Sequence, residues 1–192
     1  MIFSPTSLEG VWIIEPERRE DDRGFFARTW CQREFLEHGL DGRLVQCSIS
    51  WNAARGTLRG MHWSVPPAAE TKLVRCTAGA IHDVVVDLRP GSPTYLSHVS
   101  MVLSAEARNA VYIPEHCAHG FQTLEPESEV YYQMTEFYEP SAARGARWDD
   151  PKFGIVWPDG PRVMSPRDAT WPDFIPGGTP AAGGAARRGE RV

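Results

Sequence analysis

No run in the sequence approaches the ~20 consecutive apolar residues that a membrane-crossing helix requires. The opening stretch, MIFSPTSLEGVWIIEPERRE, has neither the basic leader nor the apolar centre of a secretory signal. No membrane association is expected, and the cytoplasm is the expected compartment. Paired cysteines are missing too. The 4 cysteines stand at positions 31, 47, 76 and 117 with no CxxC among them, a pattern of reduced, mostly buried thiols rather than of a disulfide framework or a zinc ribbon. The sequence also lacks a glycine-rich phosphate loop, a GxGxxG fingerprint and a GxSxG elbow, so those nucleotide-binding and hydrolytic classes have no support. Positive charge is not in excess: 20 Lys and Arg face 25 Asp and Glu, for a formal charge of -5. Nothing attracts nucleic acid globally, and any anion must be held by a local cluster.

What is present is a chain of 192 residues, suited to one domain that buries enough surface to fold without disulfides or metal. Its 17 glycines and 16 prolines punctuate short extended runs. Strands are expected at 8–15, 44–50, 58–63, 72–77, 80–88, 95–103, 109–113, 118–124 and 129–137, with one short helix in QREFLEHG at 32–39. No set of helices long enough for parallel crossovers exists, so the fold class is mainly β, a sandwich or barrel. Residues 138–174 read as irregular cover, and PGGTPAAGGAARRGERV from 176 has the composition of a disordered tail.

The polar residues that carry chemistry fall on strands. In LRGMHW, Arg59 and His62 are three apart and face opposite sides of a regular strand, so a bend near Gly60 is needed to bring both to one pocket. Lys72, Arg75, His82, Arg89 and His119 add cationic or titratable groups on neighbouring strands, where lysine and arginine can hold phosphate. VYYQMTEFY places Tyr132, Met134, Glu136 and Tyr138 on one face. Asp168, in SPRDATWPDF, is a carboxylate available to orient a histidine. HCAH is the nearest approach to a metal-ligand spacing; without an HxH cluster or paired cysteines it supports no metal site.

Several segments together resemble one family. GVWIIEP, DDRGFF, QREF, GTLRGMHW, KLVRCTAGAIHDVVVDLRPGSPTY, YIPEHCAHGFQTL, VYYQ, RGARWDDPKFGIVWP and SPRDATWP are similar, in order and over residues 8–174, to the sugar-nucleotide epimerases typified by dTDP-4-dehydrorhamnose 3,5-epimerase. The resemblance implies a cupin-like jelly roll over residues 1–175, and a homodimer that exchanges N-terminal strands. It also implies a nucleoside-diphosphate 4-keto-6-deoxyhexose as substrate, dTDP-linked first of all, with no metal or redox cofactor. The 4-keto group acidifies the hydrogens on C3 and C5, because the carbanion formed at either is delocalised as an enolate.

By the same resemblance, His62 is the base, Asp168 its orienting carboxylate, Tyr132 the opposing acid and Lys72 the cation beside the C4 oxygen. Arg23 and Arg59 match contacts to the diphosphate or neighbouring sugar. Phe26, Gln46, His119 and Tyr138 match other substrate contacts. Three positions depart from the family: Arg28 and Ala143 stand where glutamate is usual, and Ser48 where asparagine is usual. These departures imply changed substrate recognition around retained proton-transfer groups, and leave open a change of nucleotide, action at C3 or C5 alone, and a noncatalytic sugar-nucleotide binder.

Overall fold

The structure, a computed structural model, describes residues 1–177. Most of the segment expected to be a disordered tail, residues 178–192, lies outside the described residues. Among the described residues, thirteen strands and two short helices follow one another. They are β1 (Ile2–Pro5), β2 (Trp12–Glu15), β3 (Arg19–Asp21), β4 (Gly24–Phe26), α1 (Gln32–Glu37), β5 (Gln46–Asn52), β6 (Leu58–Ser64), β7 (Lys72–Ala78), β8 (Ala80–Asp87), β9 (His98–Ser104), β10 (Ala110–Ile113), β11 (Cys117–Thr123), β12 (Ser128–Met134), β13 (Ala143–Gly145) and α2 (Pro166–Ala169). The strands form a six-stranded sheet in the order β1-β2-β10-β7-β12-β5 and a five-stranded sheet in the order β13-β6-β11-β8-β9; β3 and β4 pair only with each other. The mainly β fold class expected from the strand pattern is met, and the double-sheet, cupin-like architecture is the one implied by the family resemblance.

The run AIHDVVVDL shows why periodicity alone gave so little of the topology. Ile81 and Val85 on β8 join the core between the sheets, with Leu103, Val111, Phe121 and Val130. Val84 and Val86 point the other way, into a second cluster under Met61, Trp63, Phe153 and Trp157. A strand covered on both faces reads as a continuous apolar run rather than an alternation. The cover on this outer face is the C-terminal segment. Phe35 and Leu40 cover the outer face of the six-stranded sheet in the same way, against Ile14, Leu73 and Tyr112.

Two expectations about local structure change. The strand expected at 8–15 begins only at Trp12, because Leu8 to Val11 form a turn closed by Val11 N–H donating to Leu8 O. Leu8 and Val11 are apolar because they plug the end of the core, being 2% and 0% exposed. The stretch read as irregular contains β13 and α2, both too short for a periodic signal. The β1 strand before the turn was not anticipated; it pairs with β2 inside the same sheet.

Candidate active site

The six residues from Arg59 to Ser64 hold the first element of the site. On β11, His119 and Phe121 are two apart; their partners on β6, His62 and Arg59, are three apart. The extra residue is a β-bulge, and it turns Arg59 and His62 to the same side. Glycine is required on both strands here. A Cβ on Gly60, whose φ is +138°, would stand 2.6 Å from Gly120 Cα, and one on Gly120 would stand 2.9 Å from Arg59 O.

His62 is met by a residue from far along the chain. Asp168 Oδ1 lies 2.5 Å from His62 Nε2. Asp168 sits in α2, whose start is set by Ser165: its Oγ accepts from Asp168 N–H at 3.1 Å, and Pro166 follows at the first helical position. Trp171, 6% exposed, anchors the segment over Gly145, where an added Cβ would collide with its indole. Burial opposes the charge of Asp168, but the hydrogen bond and charge of His62, with help from Ser165, outweigh it and hold the carboxyl below its ordinary range. An ionised Asp168 accepts, so Nε2 carries the proton and Nδ1 keeps a free lone pair.

The other walls come from both sheets. Lys72 on β7 pairs with Glu70 at 3.1 Å, and Arg59 Nε donates to Asn52 Oδ1 at 2.8 Å. His119 Nε2 bonds Asp83 Oδ2 at 2.8 Å and its ring lies edge-on to Tyr132, 6.1 Å between centroids. Tyr132 keeps some accessible surface, yet protein atoms crowd its phenol; burial first, then the charge of Asp83, push its pKa far up, so the proton stays on. Gln46 Oε1 accepts from Tyr138 N–H at 3.0 Å. Arg59, His62, Glu70, Lys72, His119, Tyr132, Gln46, Tyr138 and Asp168, with Ser48, line one cavity of about 600 Å³, and Asn52 and Asp83 stand behind it. A contiguous outer lobe of about 310 Å³ shares Arg59, His62 and Lys72 and is bordered by Ala143, Arg144 and Arg167.

The sequence matches the family model for dTDP-4-dehydrorhamnose 3,5-epimerase over residues 5–175. An enzyme of that description from Sinorhizobium fredii is 41% identical over 91% of this chain and 90% of its own length. A dTDP-4-dehydrorhamnose 3-epimerase from Streptomyces niveus is 40% identical over 88% of this chain and 81% of its own. The crystal structure of the 3,5-epimerase from Elizabethkingia anophelis superposes with a TM-score of 0.87 at 36% identity, covering 91% of this chain and 96% of that one.

The chain belongs to the dTDP-4-dehydrorhamnose 3,5-epimerase family. It is accordingly an isomerase of nucleotide-linked 4-keto-6-deoxy sugars.

Within this epimerase fold, His62, Asp168, Tyr132, Lys72, Arg59, His119, Gln46, Tyr138 and Ser48 meet at the cavity, and Ala143 borders its outer lobe. Arg23, Phe26 and Arg28 do not. Arg23 is paired with Asp21 on the β3–β4 hairpin, Phe26 is 77% exposed, and Arg28 is paired with Glu34 in a separate pocket. The hairpin pairs with neither main sheet among the described residues.

Other cations turn out to support the fold. Arg75 donates to Thr29 O, Arg89 pairs with buried Asp87, and His82 packs beside Trp157 outside the barrel. Among the described residues no three His, Cys, Asp or Glu side chains are grouped to hold a metal ion. Sequence reasoning missed Glu70, Asn52, Asp83, Arg144 and Arg167. Asp83 was findable, since it alternates with Ile81 and Val85 and must face inward with them; the others carry no pattern of their own.

Proposed function

We propose that this chain epimerises a dTDP-linked 4-keto-6-deoxyhexose at C3, C5 or both, by proton transfer alone. One observation carries the reading. His62 belongs to the five-stranded sheet and Tyr132 to the six-stranded sheet, so the base and the acid line one cavity from its two walls. A sugar ring held between them presents opposite faces to each.

His62 Nδ1 takes the proton from the carbon beside the ketone, and the C–H electron pair moves into the enolate. Asp168 steadies the imidazolium that forms. The negative charge gathers on the C4 oxygen, where Lys72 supplies a preorganised donor worth about 3 kcal/mol of barrier. Tyr132 then gives its proton to the other face, and the carbon is inverted. Burial and Asp83 keep the proton on the Tyr132 phenol in the resting site, and it is the strongly basic enolate carbon that draws it off. Arg59 holds the diphosphate; its Nε is engaged by Asn52, which leaves the two terminal nitrogens for a bidentate contact.

Arg23 and Phe26 enter the reading through a second copy of the chain. β1 and β2 pair beside β10 within the chain's own sheet. The β3–β4 hairpin pairs with neither main sheet, and edge strand β5 exposes Ile49 and Trp51 at 63% and 55%. A homodimer in which the hairpin crosses to the partner's cavity accounts for both observations. The cytoplasm suits its four free cysteines; burial pushes the thiols of Cys76 and Cys117 up to about 11 and about 12.

The test is incubation with dTDP-4-keto-6-deoxyglucose in D₂O, followed by NMR, beside UDP, CDP and GDP analogues. Deuterium entering C3 or C5 with inversion supports the reading, and the position labelled assigns the carbon. Binding without exchange across the panel would leave a sugar-nucleotide binder instead.

A further inference from the structure

Glu70 was singled out by no pattern in the sequence, yet it stands at the junction of the two lobes of the cavity and borders both. One of its oxygens, Oε1, accepts from Ser64 Oγ at 3.0 Å and pairs with Lys72 Nζ at 3.1 Å. Ser64 is the last residue of β6 in the five-stranded sheet, two positions after His62. Lys72 is the first residue of β7 in the six-stranded sheet. A single carboxylate oxygen therefore ties the strand that carries the base to the strand that carries the cation, across the space where substrate binds.

The segment that presents Glu70 is itself anchored at both ends. Val65 N–H donates to Ala142 O at 3.0 Å, and Thr71 exchanges hydrogen bonds with Thr135 through its N–H and its carbonyl. Both partners are sheltered, with side chains 14% exposed for Lys72 and 13% for Glu70. A lysine stem has four flexible carbons and a point charge that accepts many directions. Left alone in a cavity of this size, Nζ would sample several positions. Paired with a fixed carboxylate, it is confined, and its remaining hydrogens are free for a substrate oxygen.

We propose that Glu70 is a positioning residue for the epimerisation: through Oε1 it holds Lys72 Nζ at a set place relative to His62, so that the cation meets the enolate oxygen as His62 removes the proton. This rests on the reading of Lys72 given above. Glu70 touches no reacting atom, and its effect is exerted entirely through Lys72.

Three variants test it: Glu70→Gln, Lys72→Ala and the double variant, each assayed for kcat and KM of deuterium exchange in D₂O with the substrate the wild type turns over. Glu70→Gln keeps an oxygen for Ser64 and the volume of the side chain but loses the charge that confines Nζ. It is expected to lower kcat about 10-fold with KM within about 2-fold, since a catalytic contact and not ground-state binding is disturbed. Glu70→Asp, which restores the charge, is expected to recover part of the loss.

The double variant is expected to be no slower than Lys72→Ala alone, because a residue that acts only through Lys72 has nothing left to position. Glu70→Gln at the wild-type rate while Lys72→Ala is crippled overturns the inference alone. Losses that multiply in the double variant also overturn it, showing that Glu70 acts elsewhere. An active wild type whose rate is indifferent to Lys72→Ala overturns the role given to Lys72, and the inference with it; a wild type with no exchange on any of the nucleotide sugars overturns the proposed function itself.

Discussion

His62 and His119 face each other in register across β6 and β11, yet each is bonded to its own carboxylate, Asp168 from the C-terminal segment and Asp83 from the adjacent strand β8. The two pairs differ in exposure. The His62 side chain is 40% exposed and open to the cavity, whereas the His119 side chain is 6% exposed and its partner 0%. The accessible pair suits proton exchange with a ligand, and the buried pair suits a fixed wall.

Asp168→Asn removes the charge that selects the tautomer of His62 and stabilises the imidazolium. The exchange rate is expected to fall by about 10³-fold, by analogy with other histidines deprived of their carboxylate. His62→Ala should abolish exchange in the same NMR assay. An Asp168→Asn variant within a few-fold of wild type would show that the contact is structural.

Tyr132→Phe separates the two halves of the reaction. Proton removal by His62 persists, so deuterium still enters the substrate, but it returns to the face it left. The expected outcome is exchange at no less than about a tenth of the wild-type rate with inversion reduced by about 10² or more. The labelled substrate recovered with its original stereochemistry is the measurement that checks it.

Asp87 predicts the acid limit of stability. Burial opposes its charge, but hydrogen bonds from Arg89, Ser92 and Thr94 prevail and hold its carboxyl well below the usual range. A group whose folded pKa lies below its unfolded value of about 3.9 contributes stability that is complete above that value and lost as pH falls toward the folded one. Asp168, shifted the same way, adds to the effect with the same sign. Urea midpoints should hold steady from about pH 7 to 5 and decline below about pH 4. Asp87→Asn should cost about 3 kcal/mol at neutral pH, by leaving Arg89 without its partner, and flatten that acid decline.

Gly145→Ala tests how the C-terminal segment is seated. A methyl group there meets the Trp171 indole, which must move and carry α2 with it. Activity is expected to fall at least about 10-fold from misplacement of Asp168, while ligand binding, measured by calorimetry with dTDP, changes little. A variant with wild-type turnover would show that Trp171 can shift without α2.

How much of this was legible in the sequence depends on where each residue's partner lies. The need for a bend near Gly60 was readable because Arg59 and His62 have the wrong spacing for a flat strand, and the β class because short extended runs recur between turns, although sandwich and barrel stayed open. The partnership of His62 with Asp168 spans 106 positions and has no periodicity; only the resemblance to a family pointed to it. Arg23 and Phe26, matched to substrate contacts by the resemblance, lie outside the lining of the chain's own cavity, a placement that strand patterns cannot express. Glu70 meets Ser64 and Lys72 from the connection between β6 and β7, and nothing local marks it.

Four cavity residues and two of the three departures noted above occupy different kinds of strand. His62, Lys72, His119 and Tyr132 lie on β6, β7, β11 and β12, each flanked by a neighbour on both sides, whereas Ser48 lies on β5 and Ala143 on β13, the outermost strands of their sheets. An inner strand cannot shift without disturbing two ladders; an outer one answers to a single ladder. A substitution on a rim strand therefore disturbs the central ladders least, and the outer contacts of the cavity can vary at little structural cost to the strands that carry His62, Lys72 and Tyr132.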